Sequence, residues 1–165
     1  MVMSQHAFAA NPAQVDAARI RLANAKLQED VIAIIRASAR GALGADCVTF
    51  VLQDGDKCHY VEEDAIGPLW KGKKFTLETC ISGWAMLNNQ TAAISNIYMD
   101  KRIPHDAYRP TFVQALIMAP VRASGPVAAL GAYWKERRTF TPEGIQAVEM
   151  MADFVGNALR RIRAA

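Results

Sequence analysis

The chain has 165 residues, 52% hydrophobic and 21% charged, which is enough apolar material for one sizeable core and too little length for two full domains. Its 19 basic and 16 acidic side chains leave a formal charge of +3, too mild for a surface built to coat nucleic acid. No apolar run is long enough to span a bilayer, and the first residues lack the layout of a secretory signal. No membrane span, no nucleic-acid partner and a cytoplasmic location are therefore expected.

Residues 1–12 read as a flexible N-terminus, and 13–165 as one domain that includes its terminal helices. From Ala13 to Gly41 apolar side chains recur at helical spacing through Val15, Ala18, Leu22, Ala25, Val31 and Ile35, which predicts one long helix ended by Gly41 and Gly44. "DCVTFVLQ" and "KCHYVEE" are β-rich runs around "DGD", a hairpin signal because Asp-Gly supplies the positive φ of a tight turn. Residues 64–75, with Gly67, Pro68, Gly72 and Trp70 as the one large anchor, predict a surface loop or lid.

"LETCISGWAML" predicts a short helix with Ile81, Trp84 and Leu87 on one face, and "TAAISNI" a strand. "IPHDAYRPTF", residues 103–112, then places a histidine, an aspartate, a tyrosine and an arginine between two prolines. "ALIMAPV" is the continuous apolar run of a strand buried on both faces, and "SGP" turns it into "VAALGAYW". A last helix starts at Pro142 with Thr141 as its cap, striped by Ile145, Val148, Met151 or Ala152, Val155, Leu159 and Ile162. The sum is an α+β fold: a central antiparallel sheet of about five strands flanked by helices, with long N- and C-terminal helices.

Cys47 and Cys58 fall in the predicted strands, where they read as small buried hydrophobes, and the odd third thiol, Cys80, argues against a disulfide framework. His6, His59 and His105 are far apart and no ligand spacing suggests a metal. No glycine-rich phosphate loop occurs. The basic cluster "RRIR" ends the last helix, where cations complement the macrodipole.

The strings "SGWAMLNNQTAAISNIYMDKRIP", "YRPTFVQALIMAPVR" and "GAYW" followed by "FTPEGIQAVEMMADFVGNAL" together resemble a GAF domain over roughly residues 25–163. They are most similar to the GAF domains that precede histidine-kinase modules in bacterial sensor proteins. That resemblance implies a small-molecule pocket on one side of the sheet, covered by residues 64–75 and 96–112, and terminal helices that pass occupancy to an output module. Trp70, Trp84, Asn96, Tyr108, Arg109 and Phe112 are the ligand-binding candidates. Prolines 104 and 110 stiffen the connector, Tyr108 and Phe112 are placed to cap an apolar cavity, and Arg109 to meet an anion. The alternative reading of the same stretch is a rigid connector in which Arg109 pairs with Asp106 or Asp100 and Tyr108 closes the core.

The resemblance also bears on chemistry. GAF domains of bilin photoreceptors attach their chromophore through a cysteine where this chain has Ile103 and Pro104, and Asn96 in "SNIY" replaces their aspartate, so no covalent bilin is expected. The ligand stays unidentified. A GAF-fold reductase of free methionine sulfoxide is the alternative function, with Cys80 near one of its cysteine positions; its partner thiols in the 96–112 connector are missing. Cys80 therefore reads as a packed helix residue, the chain as a sensor and not an enzyme, and any kinase module as lying outside it. A ligand-free dimerisation module is the third reading. A homodimer is expected through Val15, Ala18 and Leu22 of the first helix and Val155, Leu159 and Ile162 of the last, because they lie beyond the stretch of each helix that one small sheet needs.

Overall fold

A computed structural model describes residues 10–165. Most of the expected flexible N-terminus, and His6 with it, lies outside the described residues. The chain runs α1 (Pro12–Ala23), α2 (Gln28–Leu43), β1 (Cys47–Asp54), β2 (Lys57–Ala65), β3 (Lys74–Thr76), α3 (Ile81–Asn88), β4 (Ala92–Ile94), α4 (His105–Tyr108), β5 (Ala115–Arg122), β6 (Pro126–Trp134) and α5 (Pro142–Ala164). Single 3₁₀ turns at Leu77–Thr79 and Ile97–Met99 precede α3 and follow β4.

The six strands form one antiparallel sheet in the order β3-β2-β1-β6-β5-β4. The additional strand is β3, three residues that begin at the end of the stretch expected to be irregular. It pairs with the outer edge of β2, Lys57 opposite Thr76. The predicted hairpin turns at Gly55, whose φ of 60° suits glycine. Between β1 and β2 the register slips, Phe50 facing Glu62 and Val51 facing Tyr60, so Val61 is an extra residue that bulges.

The single N-terminal helix expected from periodicity is two. Asn24 Nδ2 turns back to donate to the Ile20 carbonyl at 2.8 Å, and the Asp30 carboxylate accepts the Lys26 and Leu27 amides at 2.9 Å each. One helix ends there and another is capped. The Asn11 amide then meets the Ala42 carbonyl at 2.8 Å, which brings the start of α1 to the end of α2. Gly44, in the left-handed region at φ 62°, closes α2.

Each face of the sheet carries its own core. Strand residues Val48, Phe50, Ile117, Leu130 and Trp134 pack beneath α1, α2 and α5. This burial corrects the motive for a dimer: Val15, Ala18, Leu22, Val155 and Leu159 are covered by their own chain, because α1 folds back across α5. Arg161 secures that contact at the C-terminal end of α1 by donating to the Leu22 and Ala25 carbonyls at 3.1 and 2.6 Å. On the opposite face, Cys47, Val51, Cys58, Tyr60, Leu116, Met118 and Tyr133 pack beneath α3 and the two connectors. Among the described residues no helix is long and apolar enough to cross a membrane.

Candidate functional site

A cavity of about 160 Å³ opens on the second face, between the loop after β2 and the segment around α4. Tyr60, Trp70, Cys80 and Tyr108 are its buried walls; Phe75, Thr79, Pro104 and Ala107 form the more exposed rim. The aromatic walls support one another edge to face. Tyr60 meets Trp70 and Phe75 with centroids 5.6 Å apart in each case, and Trp70 meets Tyr108 at 4.7 Å. Such pairs prefer tilted geometry because ring edges are electropositive and faces electronegative.

Two local devices position these walls. The Glu63 carboxylate accepts three successive backbone amides, those of Leu69, Trp70 and Lys71, at 2.8 Å each, folding the loop so that Trp70 points inward. In the other segment Pro104 precedes the single turn of α4, and His105 Nε2 lies 3.1 and 3.0 Å from the Ile97 and Asp100 carbonyls. Two carbonyl acceptors place the imidazole proton on that nitrogen. The turn then carries Tyr108 inward and Arg109 outward.

Of the six candidates from the sequence, Trp70 and Tyr108 line the cavity and four do not. Arg109 is exposed and paired with Asp106, as in the connector reading. Trp84 sits outside, with the Arg102 guanidinium 4.3 Å over its ring and Arg102 held by Asp100 at 2.7 Å. Asn96 caps the 3₁₀ turn, its side chain accepting the Tyr98 amide at 3.1 Å. Phe112 packs against the second core without reaching the cavity. Leu87, expected on the inner face of α3, is 59% exposed; Ile81, Ser82, Ala85 and Met86 take that face.

The largest departure from expectation is Cys80. It is not inside a helix but in extended backbone, φ −133° and ψ 156°, immediately before α3. Its Sγ lies 3.1 Å from Cys58 Sγ, receives a hydrogen bond from Ser82 Oγ at 3.3 Å, and contacts the Thr76 carbonyl at 3.5 Å. Tyr60 hydroxyl in turn meets Ser82 Oγ at 3.0 Å. The Cys58 contact, with help from Ser82 and the Gly83 amide, holds the Cys80 thiol below its ordinary range against the opposing effect of burial. Cys58 is pushed up, first by sharing its proton with Cys80 and then by burial. Burial also raises Cys47 and the phenols of Tyr60 and Tyr108.

The close approach of α3 is what permits this. A Cβ on Gly83 would stand 1.8 Å from the Leu77 carbonyl oxygen, so only glycine fits. Cys58 and Tyr60 share one face of β2 by its two-residue period. A larger apolar groove of about 460 Å³ runs between α1 and α5, lined by residues such as Pro12, Val15, Ala147, Met150 and Phe154. Its lining holds no thiol; Asp16 and Arg19 there pair at 2.8 Å, and Glu143 lies on the same lining.

An antiparallel sheet with terminal helices on one face and a connector-covered cavity on the other defines a layered α+β module. The GAF domain model matches residues 26–160, and the chain belongs to the GAF domain family. No curated protein matches it. Among solved structures it is similar to the GAF domain of an Acinetobacter phosphoenolpyruvate-protein phosphotransferase, at 12% identity and TM-score 0.78 over 93% of this chain and 94% of that one. It is similar to free methionine-R-sulfoxide reductase from Neisseria meningitidis in complex with its substrate, at 15% identity and TM-score 0.77 over 98% and 99%. The phycoerythrobilin-bound GAF domain of a cyanobacterial phytochrome is likewise similar, at 15% identity and TM-score 0.77 over 93% and 98%. At such identities these likenesses establish a shared fold.

Proposed function

We propose that the chain is a sensory GAF domain that binds a small metabolite in the cavity of the second face and relays occupancy through its terminal helices to an output module of histidine-kinase type. The observation that carries this is the aromatic enclosure: Tyr60, Trp70 and Tyr108 are buried yet border about 160 Å³ of open space instead of filling it. The volume favours a small, flat or short molecule over a tetrapyrrole. Aromatic walls supply apolar contact, while Thr79 and the thiol of Cys80 offer polar points for orientation.

Relay is supported by the sheet itself. A ligand that shifts Tyr60 acts on β2, which pairs with β1, and Phe50 of β1 packs in the core beneath α2 and α5. Native mass spectrometry of the protein as isolated from cells tests the binding, with thermal-shift screening of metabolites beside it. A retained molecule lost in Trp70→Ala and Tyr108→Ala supports the reading. A protein that carries nothing, and whose melting no metabolite moves, overturns it in favour of a ligand-free dimerisation module.

A further inference from the structure

We propose that Cys58 and Cys80 form a two-cysteine redox centre opening onto the cavity, in which Cys80 attacks a small hydroperoxide and Cys58 resolves the product as a disulfide. The two residues are 22 apart in sequence, yet their sulfurs are 3.1 Å apart. Closing by about 1 Å gives the ~2.05 Å of a disulfide bond. Cys47, the third thiol, is buried on the neighbouring strand and forms no part of this cluster.

The surroundings assign different roles to the two sulfurs. Cys80 borders the cavity, whereas Cys58 is fully buried behind it, so an incoming oxidant meets Cys80 first. Ser82 donates to Cys80 Sγ, and Tyr60 stands behind Ser82 as a second hydroxyl in the chain. The Ser82 donor favours the Cys80 thiolate, the nucleophilic form, against the longer 3.5 Å contact in which the thiol donates to the Thr76 carbonyl. The 3.1 Å contact lets the sulfurs share one proton, and the raised pKa of Cys58 leaves it on that sulfur once Cys80 ionises.

Cys80 thiolate attacks the terminal peroxide oxygen; an S–O bond forms, the O–O bond breaks, and the departing alkoxide takes a proton to leave as an alcohol, or as water if the oxidant is hydrogen peroxide. Cys80 is now a sulfenic acid. The Cys58 sulfur, giving up its proton, attacks the Cys80 sulfur; an S–S bond forms, the S–O bond breaks, and hydroxide leaves with that proton as water. The peroxide gains two electrons and the thiol pair loses two. An external dithiol reverses the step by exchange. The disulfide would tie β2 to the start of α3 at the cavity wall.

This centre does not depend on which metabolite the cavity holds: a missing disulfide leaves metabolite binding standing, and an empty cavity leaves the redox centre standing. The test is to treat the fully reduced protein, under anaerobic conditions, with one equivalent of hydrogen peroxide, then alkylate, denature, digest and map the peptides. The expected result is a Cys58–Cys80 cross-link reversed by dithiothreitol, with Cys47 left free for alkylation. In Cys58→Ser, dimedone should trap a sulfenic acid at Cys80. In Cys80→Ser, peroxide consumption should slow by about tenfold or more, the share due to loss of a thiolate. Wild-type protein with no cross-link, or with a cross-link through Cys47, overturns the proposal; this measurement does not depend on how well either variant folds. Equal over-oxidation of Cys80 in wild type and Cys58→Ser overturns it as well.

Discussion

Trp70 and Tyr108 meet edge to face with ring centroids 4.7 Å apart, joining the loop after β2 to the turn of α4. They are 38 positions apart, so this one contact closes two connectors over the cavity by side chains alone. Neither residue is held there by strand pairing.

The contact should be measurable as a coupling. Trp70→Leu and Tyr108→Leu keep apolar bulk, and a double-mutant cycle in urea should return about 0.5–1.5 kcal/mol beyond the sum of the single changes. Additivity to within about 0.3 kcal/mol would mean that the rings are neighbours without mutual stabilisation.

Glu63 organises the same cover from below. Its carboxylate accepts the Leu69, Trp70 and Lys71 amides at 2.8 Å. Glu63→Gln keeps one acceptor oxygen and introduces donors facing donors, so about 1–3 kcal/mol should be lost. Amide hydrogen exchange gives the sharper check. Those three amides should exchange faster in the variant while the amides of α5 stay unchanged; unaltered exchange at Trp70 would remove Glu63 from this role.

The adjacent Glu62 predicts an acid dependence. It is only 3% exposed, with Lys71 Nζ at 2.7 Å, Arg36 Nη1 at 2.9 Å and the Glu63 amide at 3.0 Å. Burial pushes its pKa up, but Lys71, the Glu63 amide and Arg36 together outweigh that and hold it below the ordinary value. A depressed folded pKa means that the unfolded chain takes up protons first on acidification. The stabilisation is therefore present above the usual glutamate pKa of about 4.3 and is lost as pH falls through the folded value. Since Lys71 and Arg36 are 54% and 55% exposed, the contribution is modest. Glu62→Gln should cost about 1–2 kcal/mol at neutral pH and flatten the fall in stability on the acid side. Urea unfolding across a pH series reads both; an unchanged acid slope would show that Glu62 titrates alike in the two states.

These residues also mark what sequence can and cannot convey. The turn at Gly55, the Thr141 cap and the burial of β5 were legible because each follows from local chemistry: a positive φ, a side-chain acceptor, an unbroken apolar run. The division of the first helix was not, since Ala25, Val31 and Ile35 continue the helical period across the break, and only the Asn24 and Asp30 side chains interrupt it. β3 has three residues, too few to show alternation, and exists because β2 offers a free edge. Arg109 and Tyr108 are consecutive in the sequence, yet the turn of α4 sends one outward and the other in. The Cys58–Cys80 approach obeys no spacing rule. It depends on the facing of β2 and on Gly83 letting α3 come close to Leu77.

Leu159 decides between two accounts of the terminal helices. Its periodicity fits an interface with a second copy equally well as an internal core, because both need an apolar stripe on α5. In the folded chain it is 0% exposed, within the core formed by α1, α2, α5 and the sheet. Leu159→Ala should therefore leave a cavity and cost about 2–5 kcal/mol. That loss should be the same at every protein concentration, since no second molecule is needed to bury the side chain. Met150, 42% exposed on the same helix, supplies the control: Met150→Glu should change stability by about 0.5 kcal/mol or less. Urea melts of both variants over a hundredfold range of concentration make the comparison. A Leu159→Ala deficit that shrinks as concentration rises would return the residue to an interface, because only association makes stability depend on concentration.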